Sequence, residues 1–334
     1  MLPAILSLAG ETLSADERAF FADVRPAGFI LFGRNCRDRA QLRALTDSLR
    51  DLVGRDDLPV LIDQEGGRVA RLGPPEWPEF PAPARFAALY ARAPISGIEA
   101  AQVNAEAMAI LLAEVGINVD CAPMLDVAQE GAHDIIASRS FGAEPMQVAA
   151  LGRAMLDGLE AGGCVGVVKH MPGHGRALAD SHLELPVVEA GAEALQADLA
   201  PFRALKAAPI GMTAHVLYPA WDSHRPATTS PTIIGDVIRR EIGFDGLLIS
   251  DDIGMSALSG PLPERARAAL DAGCDLVLHC SGLLDESRAV ADGLGDISVA
   301  AAARLERAMA RAGRASPRAL DALIAKRDAL LAYA

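Results

Sequence analysis

Segment 169–182 carries the densest chemistry in the chain, with Lys169, His170, His174, Asp180 and His182 and three of the seven histidines inside thirteen residues. Only Lys169, Lys206 and Lys326 are lysines; every other basic side chain besides histidine is arginine. A lysine kept beside histidines suits a task that needs a compact, flexible ammonium. His182 follows Asp180 by two residues, a spacing that lets the carboxylate set the imidazole's tautomer and basicity. Asp251 ends the otherwise apolar run 246–251, and a carboxylate there serves as a nucleophile, a general base or a metal ligand. Its neighbour Asp252 is expected to face away, because adjacent strand residues alternate, and to sit at a helix N-cap or first turn.

These residues need elements to bring them together. Short apolar runs recur at 3–8, 27–32, 58–63, 115–121, 164–169, 209–213, 246–251 and 274–279. Continuous Val/Ile/Leu runs without alternation are the mark of parallel strands buried on both faces. Helical stretches at 98–114, 145–161, 192–206, 230–242 and 263–272 separate them, which is the βα unit repeated with right-handed crossovers. Eight such runs predict a closed (β/α)8 TIM-type barrel, and the absence of GxGxxG after an early strand weakens the dinucleotide-binding alternative. The tail from about 284 reads as two further helices, the last over 317–333 and amphipathic through Leu320, Leu323, Ile324 and Leu331. No Pro/Gly/Ser linker divides 1–334, so one catalytic domain is expected.

In such a barrel the active site lies at the C-terminal strand ends. Asp63, Gln64, Glu65, Arg68 and Arg71 follow the third run; Asp126 follows the fourth, with Arg139 beyond it. Lys169 and His170 close the fifth run, His215 follows the sixth, and Asp251 closes the seventh.

Composition narrows the class. Hydrophobic residues make up 51% of 334 and charged residues 22%, a balance that buries a large core and excludes disorder. A net charge of -13 leaves no global field to hold nucleic acid. The five cysteines are scattered without a CxxC pair, which suits a reducing compartment and neither a disulfide framework nor a cysteine metal site. The N-terminal run is too short for a signal sequence or a membrane span, so a cytoplasmic address is expected.

The motifs IDQEGGRVARL (62–72), SRSFG (138–142), KHMPGHGRALADSHLELP (169–186), AHVLYP (214–219) and FDGLLISDDIGMSAL (244–258) together resemble bacterial β-N-acetylhexosaminidases of glycoside hydrolase family three, the single-domain kind that acts in peptidoglycan recycling. Met171, where the family usually has phenylalanine, and Ser138, where close members often have glutamate, depart from the pattern. The resemblance implies Asp251 as nucleophile, His182 as acid/base and Asp180 tuning it. It also implies Asp63, Arg71, Arg139, Lys169 and His170 as substrate contacts. The implied reaction is retaining removal of terminal β-linked N-acetylglucosamine from N-acetylglucosaminyl-anhydromuramyl fragments; a monomer without metal or other cofactor is expected. A histidine acid avoids placing a second anion near Asp251, which would raise its pKa. Glycines 173 and 175 are expected to give the loop over 171–182 the freedom to open and close.

Two rivals remain. A phosphorylase would use phosphate as the second nucleophile on the same scaffold. A metal-dependent barrel hydrolase would use His170, His174, His182 and Asp251 as ligands, but the HxH pair expected after an early strand is missing. A non-catalytic relative would be expected to lack Asp251, Asp180 or His182, and all are present.

Overall fold

Each apolar run forms a parallel strand: β1 (Leu2–Ser7), β2 (Pro26–Leu31), β3 (Val60–Ile62), β4 (Val119–Asp120), β5 (Val165–Met171), β6 (Ile210–Thr213), β7 (Leu247–Asp252) and β8 (Leu276–His279). Each strand pairs with the next and β8 returns to β1, so the sheet closes into an eight-stranded barrel. The computed structural model describes residues 1–129, 138–177, 179, 181, 183–313 and 316–333.

Two buried clusters explain why the strand sequences are apolar throughout. Ile5, Ile30, Leu61, Val167, Ile249 and Leu278 belong to a cluster that takes side chains from all eight strands and fills the barrel. Their neighbours Leu6, Leu31, Ile62, Val168, Leu248 and Val277 join the layer between strands and helices. Alternation therefore persists, but both faces are dry.

Outside the barrel run α1 (Ala15–Val24), α2 (Arg39–Val53), α3 (Pro83–Arg92), α4 (Pro94–Glu114), α5 (Pro145–Ala161), α6 (Gln196–Ala204), the π-type helix α7 (Ile233–Ile242) and α8 (Leu262–Ala272). Ser14 and Glu17 cap α1 reciprocally, and Asp38 caps α2, so local chemistry starts both helices. The tail differs from expectation, with three helices among the described residues: α9 (Leu284–Asp292), α10 (Val299–Met309) and α11 (Leu320–Leu331). Gly293 ends α9 and the Ser298 hydroxyl caps α10, which breaks what reads as one continuous segment. Leu305, Ala308 and Met309 of α10 join the barrel-interior cluster, whereas α11 packs against α4.

Two ladder irregularities shape the active end. β5 gains one residue relative to β6 between Val168 and Met171, and β7 gains one relative to β8 between Ile249 and Asp252. Such bulges re-aim side chains. They explain why Lys169 with His170, and Asp251 with Asp252, all border one cavity; the expectation that Asp252 faces away fails here.

Candidate active site

The loop after β3 is stapled before it presents any charge. The Gln64 side chain accepts from Arg71 N and Leu72 N at 2.9 and 3.0 Å and donates to Leu72 O at 2.9 Å. Gly66 has φ +95°, and a Cβ there would lie 2.4 Å from Pro81 O, so only glycine fits the turn.

That turn supports an alternating row of charges. Arg71 Nη2 donates to Asp63 Oδ2 at 3.0 Å, and Lys169 Nζ lies 3.2 Å from Asp63 Oδ1 and 2.7 Å from Glu65 Oε1. Arg139 completes the row with two bonds to Glu65 at 2.7 and 2.8 Å, the bidentate fork that guanidinium geometry favours. Burial pushes the Glu65 carboxyl up, yet Lys169 and Arg139 outweigh it and hold the group far below the usual carboxylate range. Burial acts in the other direction on Lys169, where Glu65 and Asp63 overcome it and hold the ammonium charged. The place of Glu65 in the 62–72 motif does not by itself reveal this pairing.

Across the mouth, Asp251 is flanked by imidazoles. His170 Nε2 is 4.0 Å from Asp251 Oδ2, and Asp252 N donates to Asp251 Oδ1 at 2.8 Å. Burial opposes ionisation of Asp251, but His170, His215, the Asp252 amide and Lys169 together hold its carboxyl below the usual range. The site therefore contains a partly buried carboxylate that stays ionised at neutral pH. Asp252 is not a helix cap: its Oδ1 accepts from Gly254 N at 2.9 Å and Cys280 N at 3.1 Å, tying the turn after β7 to β8. His215 spends Nδ1 on Thr228 Oγ1 at 2.7 Å and Nε2 on Asp252 O at 2.9 Å, so it supports that turn from behind the cavity.

The cavity measures about 320 Å³, within the range of small-ligand sites. Asp63, Arg71, Arg139, Lys169, His170 and Asp251 all border it, together with His174 and Ser181. Part of its wall is apolar, including Ile30, Phe32 and Met212. The Phe32 ring lies 4.8 Å from the Arg34 guanidinium and 5.2 Å from that of Arg71, so it packs against one of the charges it borders. Asp180 and His182 lie outside the described residues. Among the described residues, no group of three or more His, Cys, Asp or Glu side chains is arranged to hold a metal.

The root of the loop after β5 is fixed more tightly than its glycines suggest. Tyr218 Oη donates to Gly173 O at 2.8 Å, and His174 N donates to Asp126 Oδ1 at 2.7 Å. A Cβ on Gly175 would sit 1.9 Å from Val127 O. Gly175 thus permits close packing of this root against Val127.

A parallel barrel that gathers donors for hydroxyl groups around an ionised carboxylate has the make-up of a carbohydrate-cleaving enzyme. The sequence matches the Glycosyl hydrolase family 3 N terminal domain over residues 5–314, and the chain belongs to that family. It is accordingly a glycoside hydrolase. It is 43% identical to a beta-hexosaminidase of Alkalilimnicola ehrlichii over 284 residues, covering 84% of this chain and 80% of the relative. A beta-hexosaminidase of Aromatoleum aromaticum is 36% identical over 332 residues, covering 96% and 90%. The crystal structure of NagZ from Neisseria gonorrhoeae in complex with N-trifluoroacetyl-D-glucosamine superposes with a TM-score of 0.87 at 32% identity, covering 99% of this chain and 97% of that one. No helix among the described residues is long and apolar enough to cross a membrane.

Proposed function

We propose that the protein is a retaining exo-β-N-acetylglucosaminidase that removes terminal β-linked N-acetylglucosamine from peptidoglycan turnover fragments. The observation that carries this reading is Asp251, an ionised carboxylate at the end of β7 opening into a cavity lined by Asp63, Arg71, Arg139 and Lys169. Relatives named beta-hexosaminidases supply the substrate class. The sequence resemblance points to N-acetylglucosaminyl-anhydromuramyl fragments as substrate; the cytoplasmic address rests on the N-terminal run and cysteine usage, the single catalytic domain on the absence of a linker, and a monomer is expected.

In the first step Asp251 attacks the anomeric carbon, forming a C–O bond as the glycosidic C–O bond breaks. His182 gives its proton to the departing oxygen, and Asp180 stabilises the imidazolium beforehand. In the second step His182 removes a proton from water as the water oxygen attacks the same carbon, and Asp251 leaves as a carboxylate. Two displacements restore the original β-configuration. Asp63, Arg71, Arg139, Lys169 and His170 hold the sugar hydroxyls; charge-assisted donors and acceptors are the strong ones for this task.

The test is hydrolysis of a chromogenic β-N-acetylglucosaminide beside the β-glucoside, β-xyloside and arabinoside, with and without phosphate. The reading expects a preference for the N-acetylglucosaminide and free sugar as the product in both buffers. A preference for a sugar without the acetamido group, or sugar-1-phosphate in phosphate buffer, would overturn it.

A further inference from the structure

Asp126, just beyond β4, is a fully buried carboxylate that does not border the cavity. Its Oδ2 is 2.7 Å from His170 Nδ1; its Oδ1 accepts from His174 N at 2.7 Å and His170 N at 3.3 Å. Burial pushes its carboxyl up, but His170 leads the influences that hold it below the usual range. An ionised carboxylate accepts and cannot donate, so the proton between this pair sits on Nδ1. The His170 ring then spans the gap from Asp126 to Asp251, with Nε2 turned to Asp251 Oδ2 at 4.0 Å.

We propose that Asp126 is a positioning residue of the active site, which locks the His170 imidazole with Nδ1–H on itself and Nε2 facing Asp251. This rests on the reading of Asp251 as the nucleophile. Without Asp126 the ring is free to turn, and carbon or the wrong nitrogen faces the reacting carboxylate. The logic is that of partners behind metal-binding and catalytic histidines, which set tautomer and orientation without touching substrate. Asp126 also holds His174 N, so a competing role, anchoring the loop root alone, has to be separated from this one.

A double-mutant cycle separates them. Asp126→Asn is nearly isosteric, and its amide can present N–H to Nδ1 and reverse the tautomer. On a chromogenic β-N-acetylglucosaminide it is expected to lower kcat/KM by about 10–100-fold, the usual effect of removing such a partner. In a His170→Ala background the same change is expected to cost less than about threefold, because its route of action is gone. An equal loss in both backgrounds, or none in the wild-type background, would overturn the proposal. The second measurement is ¹⁵N NMR of the histidine-labelled wild-type protein, with the His170 signals assigned by their loss in His170→Ala. A proton held on Nδ1 supports the proposal; a bare Nδ1 with Nε2–H, or averaging between the two, contradicts it. Should the wild-type chain cleave no β-N-acetylglucosaminide, the functional reading falls, while the ring measurement still upholds or overturns the placement of His170 by Asp126.

Discussion

The Lys169 ammonium sits 2.7 Å from Glu65 Oε1, with side-chain exposures of 3% and 1%. A pair so far from water is worth little against a hydrophobic pair of equal volume, but breaking it strands a buried charge. Its value here is positional: the same Glu65 takes both arms of Arg139, so one carboxylate fixes two cations proposed to hold the sugar.

Glu65→Gln is therefore expected to raise KM at least tenfold and to lower thermal stability. Breaking a buried pair costs about 3–5 kcal/mol, a fall of roughly 4–7 °C in unfolding midpoint for a chain of this size. The sign with pH follows from the depressed Glu65 carboxyl. Its contribution is present above the ordinary glutamate range and is lost as pH falls below it. The margin between wild type and variant should hold through neutral pH and shrink below about 4.5; calorimetry from pH 7 to 3 checks this, and a margin that widened in acid would contradict it.

Asp120 behaves in the opposite sense. Burial pushes its carboxyl well above the ordinary range; Oδ1 accepts from Gln64 N at 3.0 Å, while Oδ2 has no partner among the described residues. Folding therefore favours the protonated form, a contribution present in acid and lost as pH rises past the ordinary aspartate range. Asp120→Asn, which mimics the protonated group, should gain on wild type as pH rises from 3 to 7, ending about 2–4 °C higher in midpoint. A difference independent of pH would show that Asp120 is ionised in the fold.

Gly175→Ala should destabilise the protein by about 1–3 kcal/mol, the usual cost of overpacking, because the new methyl meets Val127 O. It should also lower kcat/KM by displacing the start of the loop that leads to His182. Thermal unfolding and steady-state kinetics on the purified variant test both effects; wild-type values would mean that the root yields easily.

His182→Ala should spare substrates with good leaving groups far more than natural glycosides, since departure of a stable anion needs no proton. A series of aryl β-N-acetylglucosaminides of graded leaving-group acidity measures this. If all fell by the same factor, His182 would not be the acid.

The barrel was legible because strands buried on both faces leave unbroken apolar runs, and the order of those runs is the order of the strands. What single-strand patterns lacked was the bulges: a one-residue slip is visible only against the neighbouring strand, and two of them re-aim the Lys169–His170 and Asp251–Asp252 pairs. Asp63, Lys169 and His170 are visible as polar residues at strand ends, with Arg71 and Arg139 in the loops beyond; their role as substrate contacts comes from the family resemblance, and all five border one cavity. Sequence position alone does not show what Glu65 and Asp126 do. Their partners Arg139 and His170 lie 74 and 44 residues away, and nothing local marks a carboxylate as spent inside the protein. Gly175 is ambiguous for a related reason, because in sequence a glycine needed for close approach looks the same as one needed for freedom.

A covalent bond between the sugar and Asp251 is the claim on which the mechanism stands. Treating the protein with a fluorinated β-N-acetylglucosaminide that slows the second step, then weighing the intact chain and mapping its peptides, tests it most directly. One added sugar is expected, on the peptide that contains Asp251, with no addition in Asp251→Ala. A sugar attached to another residue, or turnover that releases the inverted anomer without any adduct, would contradict it.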